Sequence, residues 1–283
     1  MKLVKTIKEV REIVKDWKSK GLSVGFVPTM GYLHEGHASL IDASVKGNDK
    51  TVVSVFVNPM QFSPNEDLAS YPRDINHDAE LCKLHGADLI FNPEPDEMYD
   101  GSFCTYVNMS VLTEDLCGLT RPIHFKGVCT VVNKLFNIVQ PDNAYFGQKD
   151  AQQLAIIKQM VHDLNMPISV HGCPIVREPD GLAKSSRNTY LTPEERTSAL
   201  VLSKAIKLGQ NMVINGETDC NKVTSAMKDL IDAEPLAKID YVKIVDLKTI
   251  QPVDTIKAPI LCAIAVYIGK TRLIDNFIFE DIK

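Results

Sequence analysis

A buried-strand run, Leu22 to Val27, passes directly into Pro28-Thr29-Met30-Gly31-Tyr32-Leu33-His34-Glu35-Gly36-His37, and then into Ala38 to Val45, where apolar residues follow helical spacing. A strand, a tight turn and a helix start in that order point to an α/β arrangement. Pro28 is expected to stop the strand ladder. Gly31 and Gly36 let backbone approach a ligand, and the first helical turn offers N–H groups that the helix itself cannot pair. Such a turn suits an anion, a phosphate above all. His34 and His37 stand three apart, so a helix begun by His34 would set both imidazoles on one face, where they grip a single charged group. A metal pair and two merely structural histidines are the other readings of these residues. Metal has the weaker pattern, because a helical zinc pair is spaced by four and no Cys or His cluster follows to complete it.

The rest of the chain repeats this alternation. Ile7, Val10, Ile13, Val14 and Trp17 mark a helix over Thr6 to Lys20, Thr51 to Val57 reads as a second strand, and Asp74 caps a helix that leads to a third strand at Ala87 to Phe91. Gln61 follows the second strand by a few residues, the place where open α/β sheets hold ligands; its alternative is a turn amide bonding backbone. Glu94 to Gly101 reads as a loop, and Thr105 to Met109 as a short strand and a candidate dimer edge. Arg121, His124 and Lys126 gather at the start of a helix running to Val139, as a second anion contact or as a solvated basic turn. Ala144 to Phe146 then leads into Gly147-Gln148-Lys149-Asp150, again strand, glycine and helix start, now with a cation beside it. Asp150 suits a ribose diol or a plain N-cap, and Gln153 shares its helical face.

After a strand at Ile168 to Ile175 the pattern changes. Arg177 to Asn188 is polar and punctuated, a mobile clamp for a polyphosphate or an exposed charged linker. Helices through Val213 and over Val223 to Ile231 follow. Tyr241 to Val245, Ile260 to Tyr267 and Leu273 to Phe279 then read as strands without helices between them, a small antiparallel α+β domain.

With 283 residues, 45% of them hydrophobic, the chain can bury a sizeable core in one large domain or two. A net charge of −5 gives no bulk attraction to nucleic acid or an anionic membrane, so anion binding must come from a local basic pocket. No apolar run approaches a membrane span, and the charged start after Met1 lacks a signal-peptide core, so a cytoplasmic location is expected. Seven scattered cysteines without a CxxC read as reduced packing residues. Neither a GxxxxGK[ST] loop nor a GxGxxG turn occurs, which removes the signatures of kinase-type and dinucleotide sites. What remains fits a nucleotide bound for attack at its α-phosphate.

The segments PTMGYLHEGH, VNPMQF, YPRD, HFKGV, FGQKD and GLAKSSRN occur in this order over nearly the whole chain. In them the chain resembles the pantothenate synthetase (pantoate–β-alanine ligase) family, and His34-Glu35-Gly36-His37 resembles the HxGH signature of nucleotidylyltransferases. The resemblance implies a Rossmann-like ATP- and pantoate-binding domain over 1–175 and a smaller α+β lid domain over 176–283. It also implies a homodimer and a ligase of pantothenate biosynthesis, on the route to coenzyme A, that uses ATP and Mg²⁺. Pantoate carboxylate would attack the α-phosphorus, releasing pyrophosphate; the amine of β-alanine would then attack the bound pantoyl adenylate, releasing AMP. By the same resemblance, ATP is lined by Met30, Gly31, Tyr32, Leu33, His34, Glu35, Gly36 and His37, by Gly147, Gln148, Lys149 and Asp150, by Val176 at the adenine, and by Lys184, Ser185, Ser186 and Arg187 closing over the phosphates. His37, His34 and Lys149 are its catalytic residues, with His37 labelled proton donor. Gln61 and Gln153 hold pantoate, and Gln61 also β-alanine; no residue is indicated for Mg²⁺. Tyr32 stands where the family usually has a small residue, and Lys184 where Met is common. Two other functions need separating from this one: nucleotidyl transfer to another acceptor, and a nucleotide-binding regulatory module without turnover.

Overall fold

The computed structural model describes residues 1–64 and 66–280. In chain order its strands are β1 (Lys2–Val4), β2 (Val24–Thr29), β3 (Lys50–Val55), β4 (Leu89–Phe91), β5 (Asn143–Gly147), β6 (Ser169–Cys173), β7 (Ala237–Asp246), β8 (Ile260–Ile268) and β9 (Thr271–Phe279). Its helices are α1 (Ile7–Ser19), α2 (Glu35–Gly47), α3 (Ile75–Leu84), α4 (Pro95–Met98), α5 (Cys117–Thr120), α6 (His124–Val139), α7 (Ala151–Asp163), α8 (Pro193–Ser198), α9 (Leu200–Ile214) and α10 (Cys220–Asp232). Short 3-10 turns occupy Pro59–Gln61, Gln148–Asp150 and Ser186–Tyr190.

The chain divides into two compact units. The first comprises Met1–Met109, Arg121–Gln148 and Ile156–Pro174, and the second Ser110–Thr120, Lys149–Ala155 and the chain from Ile175 onward. The first unit is a Rossmann-like α/β sheet of six parallel strands in the order β1-β4-β3-β2-β5-β6. Its inner strands carry apolar residues on both faces, as a sheet covered on both sides requires. Val27, Val53 and Ile90 pack with Leu40 and Ile41 of α2 and Cys82 of α3. On the strand next to Val27 in sequence, the alternate residue Phe26 meets Phe136 of α6, ring centroids 6.3 Å apart. From β2 the chain builds outward through β3 and β4 on one side and through β5 and β6 on the other. The carboxyl ends of β2 and β5 therefore flank the switch point of the sheet, where such folds bind ligands. Met30 follows one of these ends and Gln148 the other.

The second unit carries the antiparallel sheet β7-β8-β9. Val242, Ile244, Cys262, Ile264 and Val266 share a core with Leu202 and Ile206 of α9 and Val223, Met227 and Ile231 of α10. The parallel sheet arises where strand runs alternate with helices along the chain, and the small antiparallel one where three strand runs follow without helices between them.

Several local expectations need correcting. Pro28 does not end β2, which runs to Thr29. Pairing with β5 covers only Gly25 and Phe26, whereas pairing with β3 continues to Thr29–Val55, and the Thr29 carbonyl accepts the Phe56 N–H at 3.1 Å. The missing proline N–H thus falls on the β5 side, past the last pair, where it costs the sheet nothing. Thr105 to Met109 forms no strand: the Val107 N–H donates to Thr130 Oγ1 of α6 at 3.0 Å, and the Lys126 ammonium lies 4.2 Å from the centre of the Tyr106 ring. A helix side chain, not a neighbouring strand, thus takes the Val107 amide. The Glu94 to Gly101 loop contains a helical turn, α4, opened by Pro95 at its first position. Lys2–Val4, unremarked in the sequence, is the edge strand β1, paired in parallel with β4.

Candidate active site

In the first unit the segment after β2 is held by reciprocal capping. His34 is not in α2 but is its N-cap, with extended backbone. Its Nδ1 accepts the Gly36 N–H at 3.1 Å, and the His34 N–H donates to Nδ1 of His37 at 3.2 Å. The two rings lie 4.1 Å apart, centre to centre, tilted by 39°. Imidazoles thus replace the hydroxyl and carboxylate of an ordinary capping box. Because each Nδ1 accepts from an amide, each neutral ring keeps its proton on Nε2. The pair comes together as expected, but by a cap and not along one helical face. Glu35 opens α2 and is exposed, Leu33 is buried, and Met30, Tyr32 and Gly36 are half-buried.

The turn before the cap is strained and supported. Gly31 has φ +87° and Tyr32 φ +52°. A Cβ at Gly31 would stand 2.9 Å from both Asp78 Oδ2 and Val55 Cγ1, so this position accepts only glycine.

Gln61 sits in the 3-10 turn after β3 and is 7% exposed. It is not a turn amide bonding backbone. Its Oε1 accepts from Asn58 Nδ2 at 3.0 Å, and its Nε2 donates to Met30 Sδ at 3.1 Å. Asn58 is fixed in turn by the Gly127 carbonyl, 3.1 Å, and by the Tyr99 hydroxyl, 2.8 Å. Oε1 can accept and Nε2 can donate once more, so the amide is oriented and still able to serve a ligand. Arg121, His124 and Lys126 brace the same region. Arg121 makes a two-pronged ion pair with Glu66, Nη2 to Oε2 at 3.0 Å, while His124 Nδ1 donates to the Gln61 carbonyl at 3.1 Å. Burial pushes the Glu66 carboxyl up, but the Arg121 bond, the Ser63 N–H and the Arg121 charge outweigh it and leave the pKa lowered. Arg121 and His124 are thus engaged by Glu66 and the Gln61 carbonyl, while Lys126 is exposed over the Tyr106 ring. At the end of β5, a Cβ on Gly147 would meet no described atom within 4 Å, and its φ is not left-handed. Nothing among the described residues demands a glycine there, whereas close approach of a ligand would.

In the second unit Lys149 and Ser185 line one small pocket, with Asn188 and Asp275 beside them. The Lys149 carbonyl accepts from the buried Asn276 Nδ2 at 2.8 Å. Ser185 caps the 3-10 turn Ser186–Tyr190 through the Arg187 N–H at 3.3 Å. The Val176 carbonyl accepts the Lys184 N–H at 3.0 Å, and Arg177 bridges to Ala183, so the polar stretch begins as a tight antiparallel loop. Asp150 is exposed just ahead of α7, and Gln153 is half-buried within it. Between them the buried Gln152 ties α7 to the 110–120 segment: its Oε1 accepts the Cys117 N–H at 2.9 Å, and its Nε2 donates to the Leu112 and Asp115 carbonyls, both 2.8 Å.

Sequence reasoning passed over Asn58, Asp78, Gln152 and Asn276, which hold the candidate residues in place. One signal was legible: Asp78 lies four before the buried Cys82 on α3, on the buried side of an amphipathic helix where a carboxylate is out of place.

The description pantoate-β-alanine ligase belongs to a family model that matches residues 2–278. A pantothenate synthetase of Ruminiclostridium cellulolyticum is 66% identical over 279 residues, 99% of each chain. One from Enterococcus faecalis is 60% identical over 280 residues, also 99% of each. Among solved structures, the pantothenate synthetase of Thermus thermophilus matches with a TM-score of 0.92 at 43% identity, over 98% of this chain and 99% of that one. The pantoate-β-alanine ligase of Francisella tularensis, complexed with beta-gamma ATP and beta-alanine, gives 0.80 at 34% identity, over 98% and 97%. Since these matches run from β1 to β9 and take in both helix starts and the polar loop, the chain belongs to the pantoate–β-alanine ligase family, the pantothenate synthetases.

Proposed function

We propose that this enzyme joins (R)-pantoate to β-alanine in two steps at the expense of ATP. A carboxylate oxygen of pantoate attacks the α-phosphorus, and the bond to the bridging oxygen breaks as pyrophosphate leaves. The neutral amine of β-alanine then attacks the acyl carbon. The C–N bond forms, the C–O bond to AMP breaks, and the amine proton passes to solvent. No nucleophilic side chain is needed, since pantoate supplies its own. The observation that carries this reading is the reciprocal cap at α2, which keeps two Nε2–H donors side by side at a helix N-terminus.

In this reading His34 and His37 hold phosphate oxygens, and Lys149, Ser186 and Arg187 supply further donors to the charge that builds as pyrophosphate departs. Gly147, Gln148 and Asp150 serve the nucleotide, and Val176 the adenine. Gln61 and Gln153 take pantoate, whose hydroxyls and carboxylate need both a donor and an acceptor. His37 acts as a phosphate donor more than as an acid, because pyrophosphate leaves without strong acid help. No group of three or more His, Cys, Asp or Glu side chains among the described residues is arranged to hold a metal ion, and a Mg²⁺ carried by the triphosphate would need few protein ligands. That ion would neutralise phosphate charge. The reading also makes the enzyme a homodimer, as the family resemblance implies, and places it in the cytoplasm, as its apolar runs lead one to expect; light scattering at twice the chain mass tests the homodimer.

The deciding experiment is a single turnover with ATP, Mg²⁺ and pantoate. Pantoyl adenylate should accumulate and then vanish on addition of β-alanine. Pyrophosphate release that needs another acceptor and not pantoate would favour nucleotidyl transfer, and no release at saturation would favour a regulatory module. Gly127→Ala tests the Gln61 assignment. The new Cβ would stand 2.6 Å from Gln61 Cα, so the turn must shift. A stability loss of about 1–3 kcal/mol is expected in thermal unfolding. The KM for pantoate should rise at least several-fold more than that for ATP.

A further inference from the structure

We infer that Asp78 is a positioning residue for adenylate formation: from α3 it fixes the backbone leading into His34, so that His37, whose ring lies beside that of His34, carries its ring proton on Nε2. The inference rests on the assignment of these imidazoles to phosphate in the proposed function. Asp78 is 1% exposed. Its Oδ2 accepts the Tyr32 N–H at 3.0 Å and its Oδ1 the Leu33 N–H at 2.7 Å, across 45 residues of sequence or more. Only a carboxylate offers two acceptor oxygens to two successive amides. Burial pushes the Asp78 pKa up, against the pull of the Leu33 and Tyr32 N–H groups and the charge of His77. The left-handed Gly31–Tyr32 pair is thus clamped from a neighbouring helix by a group that is costly to bury.

The clamp reaches the histidines through one peptide. Next to Asp78, His77 Nε2 donates to the Leu33 carbonyl at 2.9 Å. The N–H of that same Leu33–His34 peptide donates to His37 Nδ1 at 3.2 Å. A carbonyl that accepts a hydrogen bond polarises its own N–H, so the two bonds strengthen each other. The Leu33–His34 peptide plane is held at its carbonyl by His77 and at its N–H by His37, and the Tyr32–Leu33 plane before it is held at its N–H by Asp78. Rotating it would remove the acceptor constraint that keeps the His37 proton on Nε2, the atom that meets phosphate.

The test uses ¹⁵N–¹H long-range correlation spectra of the histidine rings in the full chain, beside single-turnover rates. Wild-type protein should show unprotonated Nδ1 at His34 and His37. Asp78→Asn puts an amide NH₂ against a backbone N–H; it should shift the His37 ring away from the pure Nε2–H form and slow adenylate formation about 10- to 100-fold. Reaction of supplied pantoyl adenylate with β-alanine should stay within about threefold, a split that general loss of structure would not give. His77→Ala, at an exposed position, should move rate and spectrum in the same direction should Asp78→Asn fail to fold. A proton on Nδ1 of either ring in wild-type protein overturns the inference, as does an unchanged first step in folded Asp78→Asn and His77→Ala. Failure of wild-type enzyme to form any adenylate would instead count against the proposed function, since the ring spectra do not depend on turnover.

Discussion

His37→Ala is expected to slow adenylate formation about 100- to 1,000-fold, about 2.7–4 kcal/mol, the cost of removing one preorganised donor from a charge that develops in the transition state. Single-turnover pyrophosphate release reads it directly. kcat and kcat/KM should fall together, because the donor is worth most when the pyrophosphate oxygens carry their full charge. The substitution also removes the acceptor for the His34 N–H, hence half of the α2 cap, at about 0.5–2 kcal/mol of stability. His37→Gln separates the two effects. Its carbonyl oxygen can take the His34 N–H, as the third residue of an ordinary capping box does, so stability should return while most of the rate does not. A folded His37→Ala enzyme within about threefold of wild type would remove His37 from the catalytic set.

The sequence is informative wherever a local rule decides the outcome. Thr6 with Glu9 and Thr192 with Glu195 form capping boxes where α1 and α8 begin, and Asp74 caps α3 through the His77 N–H. Three strand runs without helices between them, β7, β8 and β9, give the antiparallel sheet. The site is legible as far as its segments, because a strand, a glycine and a helix start within ten residues carry their own geometry. It stops being legible where a partner lies far along the chain. Nothing near His34 says that it will cap α2 instead of joining it. That outcome depends on Asp78 and His77 holding the preceding peptide from 44 or 45 residues away. Arg121 and His124 looked like anion ligands because Glu66 and the Gln61 carbonyl, which occupy them, are more than 50 residues distant. Pro28 looked like a strand end because one strand's sequence does not say on which side its neighbours stop. In each case local chemistry was read correctly and its long-range partner was missing.

Arg177→Ala is expected to destabilise the fold by about 3 kcal/mol, through a charge left buried and not through a lost contact. The Asp275 side chain on β9 is 1% exposed, and Arg177 meets both its oxygens, at 2.7 and 2.9 Å. One guanidinium nitrogen also donates to the Gly181 carbonyl at 3.1 Å, so the same side chain closes the loop whose Arg177–Ala183 bridge precedes Lys184. Without it the carboxylate keeps the Asn276 N–H at 2.8 Å but loses the guanidinium that meets both its oxygens. The expected cost sits at the low end of the range for buried pairs because the Arg177 side chain is 28% exposed, and water can relieve part of the penalty. Adding Asp275→Asn to Arg177→Ala removes the orphaned charge and should recover more than half of the loss, whereas two independent packing defects would add. Urea unfolding of the four proteins at neutral pH measures this cycle. The loop effect is separable, since the double variant should regain stability yet keep a raised KM for ATP, because Gly181 still lacks its donor and Lys184 to Arg187 remain less firmly held. A single-variant loss under about 1 kcal/mol would mean that Asp275 is stabilised without Arg177, and the loop would then need another anchor.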